Sequence, residues 1–189
     1  AGKNSEGETI NIDIPKFCFV GATTEMGDLV QPFLDRFKLK HFVRQYSVDE
    51  LSLLLSMNAA KMNLEISDDA LATVARVSRG TPRIANNFLE WLRDYSIAYD
   101  IQGLQKYQAT QALEMQGIDE NGLNPIDRRY IEVLKNLPKG SAIGVNTLCS
   151  ALSVDKQTIE QKIEPYLIQQ GYIGRTPKGR VLLDYEEIN

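Results

Sequence analysis

From residue 47 onward, apolar residues recur every three or four positions, which is the spacing of amphipathic helices. Ser47 and Glu50 open the first helical segment with the spacing of a capping box, in which each side chain can bond the other residue's backbone N–H. Thr81-Pro82 opens a later segment, with threonine as the cap and proline in the first turn. The pattern predicts four helices between residues 47 and 115, which would pack as a small bundle.

A second helical region follows a polar linker. Residues 117–122 are polar, bracketed by glycine and free of helical periodicity, which is typical of a linker. Beyond them the pattern predicts a helix that begins at Asn124-Pro125 and two more, at about 145–152 and 155–170, whose close spacing is that of a helix-turn-helix. A hairpin around Pro177-Lys178-Gly179 would follow. Three helices and a hairpin predict a winged helix.

The chain before residue 47 has the pattern of an α/β domain. Residues 17–22 form a nearly continuous apolar run, as in a strand buried on both faces of a parallel sheet, and residues 39–43 predict a final strand. Thr23 and Thr24 would then lie at the carboxyl end of a strand, where ligands of open α/β sheets bind. The same hydroxyl groups could instead satisfy the backbone of the turn, and spacing alone favours neither interpretation.

The sequence contains no complete catalytic or nucleotide-binding site. Residues 2–9 have the glycine spacing of a phosphate-binding loop, but Glu8 stands at the lysine position, and the alternating isoleucines that follow predict a strand where that motif needs a helix. His41 lies in a strand-like segment without a nucleophile nearby. Cys18 and Cys149 are far apart, and we expect both to be core thiols rather than a disulfide or metal ligands.

Composition and charge restrict the classes of protein to consider. Hydrophobic residues make up 43% of the chain and charged residues 24%, so we expect a folded globular protein. The net charge of −4 excludes a protein that binds nucleic acid over its whole surface. No apolar run has the length of a membrane helix and the first residues lack the pattern of a secretion signal, so we expect a cytoplasmic protein without a membrane segment.

Arg36 and Arg83 are candidate functional cations. Arg36 lies between Phe33 and Phe37, so that apolar anchors would hold its charge at a domain surface, and an ordinary surface pair with Asp35 is the alternative. Arg83 lies in the first turn of a helix, where the helix dipole disfavours a cation unless an anion is bound nearby. Such a local conflict is typical of functional sites.

Positive charge is also concentrated in the predicted hairpin. Arg175, Lys178 and Arg180 lie within six residues of one another, just after Tyr172. Contact with phosphate is one use of this cluster, and a solvated hairpin tip is the other. The predicted second helix of the helix-turn-helix has balanced charge, which favours contact with a nucleic-acid backbone over the reading of bases.

Several segments resemble, in order and spacing, the RuvB family of bacterial AAA+ ATPases that drive branch migration at Holliday junctions. These segments are Gly21-Ala22-Thr23-Thr24, Asp35-Arg36-Phe37 and residues 79–86, 127–130, 164–171 and 175–180. The resemblance covers nearly all of the chain. It implies a mainly α fold with a small β portion, made of the tail of an AAA+ α/β core (1–45), a helical lid bundle (46–118) and a C-terminal winged-helix DNA-binding domain (119–189).

The resemblance also implies roles for individual residues. Thr24 would be sensor 1, with Thr23 as the second choice, and would hold the attacking water or the γ-phosphate of ATP. Arg36 would be the arginine finger, which reaches the ATP site of the neighbouring subunit. Arg83 would be sensor 2, which together with Pro82 contacts the nucleotide of its own subunit and couples the angle of the lid to the state of ATP.

ATP and Mg²⁺ are the cofactors that the resemblance implies for a complete protein. This segment alone would hold neither, because it lacks the Walker A and Walker B motifs. The implied partners are a Holliday junction or duplex DNA, RuvA as the loading protein, and identical subunits in a homo-hexameric ring in the cytoplasm, with no membrane. In the wing, Arg175, Lys178, Arg180 and Tyr172 would contact DNA.

Two positions and one segment depart from the family pattern. Glu25 and Leu34 each replace an arginine, and the normally arginine-rich residues 88–94 contain a single arginine. These changes predict a subunit interface with different charge pairs. Two other functions stay open at this point: a winged-helix DNA-binding regulator or adaptor that dimerises through its helical bundle, and a non-hydrolysing AAA+ ring subunit. Residues preceding Ala1 would distinguish them, because a motor needs both Walker motifs there.

Overall fold

The computed structural model describes residues 2–3, 9–10, 15–24, 26–138 and 140–183. The chain divides into two compact units, Ala1–Val43 and Arg44–Asn189. The first unit contains β1 (Gly2–Lys3), β2 (Thr9–Ile10) and the short helix α1 (Gln31–Leu34). The second consists mainly of helices and contains one further hairpin, so the described chain is mainly α with a small β portion, as predicted.

The two strands expected at residues 17–22 and 39–43 do not form. β1 and β2 pair as a short antiparallel hairpin, whereas residues 15–24 and 39–43 are extended chain with no strand partner among the described residues. Phe17 is therefore 71% exposed, and Phe42 and Val43 are also largely exposed. An apolar run becomes a buried strand only where neighbouring strands supply hydrogen bonds and cover both faces, and the described part of the chain provides no such neighbours.

Other predictions for the first unit have mixed outcomes. Thr9–Ile10 is a strand, as the alternating isoleucines predict, whereas Glu8, Ile12 and Ile14 lie outside the described residues. Cys18 is exposed, so the expectation of a core thiol is wrong for this residue, because the apolar run around it is not covered. Cys149 does pack against a hydrophobic core, in the second unit.

Four helices form the predicted bundle at the start of the second unit. They are α2 (Val48–Lys61), α3 (Asp68–Val77), α4 (Pro82–Ala98) and α5 (Lys106–Met115). Their apolar stripes meet in one core, in which Leu51, Leu55, Val74, Leu89 and Leu92 are completely or almost completely buried. Each fully buried leucine contributes roughly 1.5–3 kcal/mol through removal of apolar surface from water. We call this bundle the lid.

Of the side-chain caps predicted at Ser47 and Thr81, the first forms and the second does not. The Glu50 N–H bonds to Ser47 Oγ at 3.2 Å and the Ser47 N–H bonds to Glu50 Oε2 at 2.8 Å, which completes the capping box. Ser67 accepts a hydrogen bond from the first turn of α3. Thr81 occupies the cap position of α4, but its hydroxyl donates to the Arg79 carbonyl at 3.2 Å, so the helix has no side-chain cap.

The three predicted helices after the linker surround a second core. They correspond to α6 (Pro125–Lys135), α7 (Val145–Leu152) and a third helical segment made of α8 (Lys156–Thr158), a wider turn (Ile159–Ile163) and α9 (Glu164–Gln169). Tyr130, Leu148, Ile159, Leu167 and Ile173 are its fully buried residues. With the hairpin, these helices form a winged helix.

The wider turn interrupts the single helix that the sequence predicted over residues 155–170. Within it, the Glu164 N–H bonds to the Ile159 carbonyl, five residues back instead of four. Pro165 has no N–H to offer the Glu160 carbonyl at the next step. That carbonyl instead lies 3.5 Å from a guanidinium nitrogen of Arg175 in the hairpin. The irregular turn thus presents backbone and side chains of this helix to the wing.

Strands β3 (Ile173–Thr176) and β4 (Gly179–Leu182) form the wing, with Pro177 and Lys178 at its turn. Ile143 extends this sheet, because its backbone exchanges two hydrogen bonds with Arg180, of 2.9 and 2.8 Å. Gly179 has a φ of 136°, and a Cβ atom there would overlap the Ile143 carbonyl. Only glycine therefore fits where the base of the wing crosses the chain that precedes α7.

Candidate functional site

Arg36 lies at the surface of the first unit, just after α1. Its backbone N–H bonds to the Phe33 carbonyl at 3.2 Å, and the rings of Phe33 and Phe37 pack edge to face with centroids 5.1 Å apart. The side chain is exposed and forms no ion pair with any described residue. Asp35 instead accepts a hydrogen bond from Gln31 at 2.7 Å. The predicted apolar anchors are present, and the alternative pair with Asp35 is not formed.

The two threonines lie in the same unit as Arg36. Thr23 and Thr24 are exposed, in extended chain and a bend rather than at the end of a strand. The segment before them reaches the end of α1, because the rings of Phe19 and Phe37 have centroids 5.6 Å apart. The two segments thus contact each other through Phe19 and Phe37, and Thr23, Thr24 and Arg36 are each exposed.

Arg83 is exposed in the first turn of α4, as predicted. The loop before it is fixed by backbone contacts: Gly80, with a φ of 66°, accepts a hydrogen bond of 3.1 Å from the Tyr46 N–H. Pro82 has no N–H, and no side chain caps α4. The remaining amides of the first turn and the guanidinium of Arg83 are thus available to an anionic group such as a phosphate.

The charges of the wing are arranged around one buried carboxylate, that of Glu164. Its side chain is fully buried. The carboxylate oxygens lie 2.8 Å from Arg180 Nε and 2.5 Å from Arg175 Nη2 and form ion pairs with both arginines. The Tyr130 hydroxyl donates to the same carboxylate at 2.9 Å. Arg180 also bonds to Glu160 at 2.9 Å. Two of the three predicted DNA-contacting cations are therefore already paired inside the winged helix.

The contacts in this cluster favour the charged forms of Glu164 and Arg180. Burial works against the charge on Glu164, but hydrogen bonds from Arg180, Arg175 and Tyr130 keep the pKa of its carboxyl below the ordinary value. The hydrogen bond to Glu164 raises the pKa of Arg180. Burial, together with the neighbouring negative charge, raises the pKa of Tyr130 far above its usual value, so its hydroxyl stays protonated and donates.

The candidate DNA-contacting residues differ in exposure. Arg180 has a side chain that is only 13% exposed, whereas that of Arg175 is 48% exposed. Lys178 is exposed at the turn of the wing and makes no ion pair with any residue in the described ranges. Tyr172 packs partly against the core at the base of the hairpin. Lys178 and the outer edge of Arg175 therefore form the accessible positive surface of the wing.

Sequence reasoning did not reveal that Glu164 and Asp127 are buried carboxylates paired with arginines, Asp127 with Arg79. Glu164 stands among apolar residues just before Pro165, and a glutamate on a buried stripe is the signal that could have revealed it. Arg79 bonds to the buried Asp127 across 48 residues, at 2.5 Å. A contact over that separation leaves no mark in local periodicity.

The described part of the chain lacks two kinds of feature. Its described residues contain no group of three or more His, Cys, Asp or Glu side chains that could bind a metal ion. Within the same ranges, the helices are too short or too polar for one of them to cross a bilayer.

Comparisons with known proteins agree with this architecture. A family model described as the RuvB AAA lid domain matches residues 46–119, and one described as the RuvB C-terminal winged helix domain matches residues 120–184. The Holliday junction branch migration complex subunit RuvB of Rippkaea orientalis is 39% identical over 181 residues, which cover 96% of this chain and 50% of the relative. That of Trichormus variabilis is 41% identical over 179 residues, covering 95% and 49%.

Solved structures give the same answer. A mutant of Thermotoga maritima RuvB aligns with a TM-score of 0.79 and 34% identity, over 95% of this chain and 59% of that one. A structure described as the Thermotoga maritima RuvB Holliday junction branch migration motor aligns with a TM-score of 0.75 and 32% identity, over 85% and 54%. The chain spans about half the length of the curated relatives that it matches. The chain therefore belongs to the RuvB family, as its sequence and the folds of its lid and winged helix both show.

Proposed function

We propose that this chain is the C-terminal portion of an ATP-dependent DNA motor that drives branch migration of Holliday junctions. The observation that carries the proposal is the continuous match of the lid and the winged helix, in order, to the two RuvB domains. The division into residues 1–45, 46–118 and 119–189 belongs to the same proposal. So do a homo-hexameric ring, RuvA as the loading partner and a cytoplasmic location.

Two exposed arginines on different elements, Arg36 and Arg83, support the proposed ATPase chemistry. Phosphoryl transfer depends mainly on positioning and on positive charge at the γ-phosphate. Arg36 is exposed and free of described ion pairs, as an arginine finger that enters a neighbouring subunit must be. Arg83, with Pro82 beside it, lies at an uncapped helix start, as sensor 2 requires. Thr24, or else Thr23, would orient water or γ-phosphate as sensor 1.

ATP and Mg²⁺ belong to the proposal only for the complete protein. The sequence of this chain has no Walker A or Walker B motif, and its described residues include no metal-binding cluster. The 189 residues alone are therefore expected to show no ATP hydrolysis. When bound in the complete protein, ATP with Mg²⁺ would supply the transferable phosphoryl group, and Arg83 would contact it from the lid.

A four-way DNA junction provides the test of the proposed function. The complete protein, mixed with RuvA, Mg²⁺ and ATP, is expected to convert a labelled synthetic junction into two duplexes, as measured on a native gel. A non-hydrolysable ATP analogue should prevent the conversion. Conversion that proceeds equally without ATP, or no conversion although ATP is hydrolysed, would contradict the proposal. ATP binding without hydrolysis would instead indicate a non-hydrolysing ring subunit.

Lys178 is expected to contribute more to DNA binding than either arginine of the wing. Lys178→Ala should weaken binding of duplex DNA and lower the slope of log affinity against log salt by about 0.9, the value for one lost phosphate contact on B-DNA. Arg180 has little free surface for phosphate because Glu164 and Glu160 already bind it. Titrations by fluorescence anisotropy at several salt concentrations measure the slope.

Lys135→Ala is the matched control, since Lys135 is also an exposed lysine of the winged helix, at the last turn of α6. Its slope should equal that of the parent protein. A Lys178→Ala protein with an unchanged slope would remove the wing from the DNA interface. Equal changes in both variants would mean that general charge, rather than the wing, accounts for binding.

A further inference from the structure

The guanidinium of Arg79 lies between the lid and the winged helix. Arg79 belongs to the loop that joins α3 to α4, yet its Nη2 donates to the Gly122 carbonyl at 2.6 Å and to Asp127 Oδ2 at 2.5 Å. Its plane also lies over the ring of Tyr166, with the central carbon 4.0 Å from the ring centroid. One lid side chain therefore contacts the linker, α6 and α9.

Arg79 provides the positive charge that pairs with the carboxylate of Asp127. Its carboxylate is completely buried at the start of α6, where Oδ2 also accepts the Asn124 N–H at 2.9 Å. Oδ1 has no hydrogen-bond partner among the described residues. A buried carboxylate needs a cation or several donors nearby, and within the described chain Arg79 is the cation that pairs with it.

The backbones of the two domains also meet closely at this point. Gly122 has a φ of 73°, and a Cβ atom there would approach the Val77 backbone to 3.1 Å and the Tyr166 hydroxyl to 3.0 Å. The Tyr166 hydroxyl donates to the Asn121 carbonyl at 2.8 Å. The segment expected to be a simple linker is therefore held by both of the domains that it connects.

The conformation of Arg79 points to a requirement for its side chain. Its φ is 54°, a left-handed backbone conformation that residues other than glycine and asparagine rarely adopt. The next residue, Gly80, has the same handedness. Glycine at position 79 would relieve the strain, so arginine there is explained by the contacts of its guanidinium.

We propose that Arg79 is a positioning residue that locks the winged helix onto the lid, so that the two move as one body. Arg79 lies in the short loop before α4, four residues before Arg83, which is in the first turn of that helix. A rotation of the lid caused by a nucleotide bound near Arg83 would then rotate the winged helix as well, because the linker could not absorb the movement. This second step depends on the proposed function, whereas the lock itself does not.

A distance measurement on the 189-residue chain tests the lock. Spin labels are attached at Glu90→Cys on α4 and Ser150→Cys on α7, both exposed positions, in a background with Cys18→Ser and Cys149→Ala. The parent chain should give one narrow distance distribution by electron–electron double resonance. Arg79→Ala should widen it roughly twofold, because linked domains move independently unless their interface prevents it. Arg79→Lys, which can reach Asp127 but has no plane to stack on Tyr166, should give an intermediate width.

Two further variants make the measurement decisive. Arg79→Gly removes the side chain and relieves the left-handed backbone, so widening in this variant cannot result from strain. Arg76→Ala removes an exposed arginine of α3 and should leave the distribution unchanged. Circular dichroism should show equal helix content in all variants. A distribution as narrow as that of the parent in both Arg79→Ala and Arg79→Gly would overturn the lock, as would equal widening in Arg76→Ala.

The consequence for the motor is tested separately in the complete protein. Arg79→Ala should leave the rate of ATP hydrolysis close to that of the parent but slow branch migration by at least about fivefold, the lower end of coupling between linked sites. Equal losses of both activities would overturn the transmission step and leave the lock intact. If the parent protein shows neither activity, the proposed function fails, and the distance measurement still decides whether Arg79 locks the domains.

Discussion

Arg36→Ala in the complete protein is expected to lower the rate of ATP hydrolysis by a factor of about 10³ to 10⁵, the contribution of an arginine finger in GTPases. ATP binding should be nearly unchanged, because a finger stabilises charge that develops on the γ-phosphate only as the bond breaks. The exposed position of Arg36, between two phenylalanines whose rings pack against each other, fits a cation that acts outside its own subunit. Steady-state hydrolysis and binding of a fluorescent ATP analogue measure the two effects.

Lys38→Ala is the matched control for Arg36→Ala. Lys38 is an exposed cation two residues away and should tolerate the same loss of charge with little change in hydrolysis. Loss of nucleotide binding in Arg36→Ala would assign the residue to its own subunit's site. Retained hydrolysis would refute the finger assignment.

A mixing experiment separates action within a subunit from action between subunits. In the proposed ring, each ATP site uses Arg83 of its own subunit and Arg36 of the next. Mixing Arg36→Ala and Arg83→Ala proteins should therefore restore activity, because random assembly gives an intact site at about one interface in four. If both arginines served the same subunit, the mixture would stay as inactive as its components.

The helices could be predicted from the sequence because the information for them is local. Ser47 and Glu50 lie three residues apart, and the proline in the first turn of α4 fixes its start within one turn. The strands predicted at residues 17–22 and 39–43 do not form, because a strand depends on more than its local sequence. Their apolar composition indicates burial, but burial requires neighbouring strands, which the described residues do not contain.

The candidate sites differ in the same way, because some depend on neighbouring residues and others on contacts between residues distant in sequence. Arg36 and Arg83 could be found from their immediate neighbours and from the family resemblance. The pairing of Arg175 and Arg180 could not, because their partner, Glu164, lies 11 and 16 residues away on another element and is recognisable only once the wing has folded over it. A count of positive residues in the sequence therefore overstates the charge that the wing presents to DNA, which is that of Lys178 and the outer edge of Arg175.

Glu164→Gln is expected to destabilise the winged helix by about 3 to 5 kcal/mol at neutral pH, the cost of breaking a buried ion pair by removing one partner. Glutamine fills the same space, but its neutral amide leaves Arg180 partly uncompensated and cannot accept all three donors of Arg175, Arg180 and Tyr130. Urea unfolding followed by circular dichroism measures the loss. Fluorescence of the single tryptophan, Trp91 in the lid, should change less.

Glu160→Gln is the control for this prediction. It makes the same chemical change at a carboxylate that is one-third exposed and bonds to Arg180 at 2.9 Å. Because solvent screens an exposed pair, the loss should be about 1 kcal/mol or less. Equal losses in the two variants would mean that burial of Glu164 adds nothing to the stability of the wing.

The effect of Glu164 should also depend on pH. Hydrogen bonds to the charged form depress its pKa in the folded protein, so its contribution to stability is fully present above the pKa of an unfolded glutamate, about 4.3. That contribution is lost as the pH falls from there through the folded pKa. The difference in unfolding free energy between the parent and Glu164→Gln should therefore be constant from pH 6 to 8 and shrink below about pH 4. A difference that stays constant into this acidic range would show that the negative charge of Glu164 does not account for its contribution to the stability of the wing.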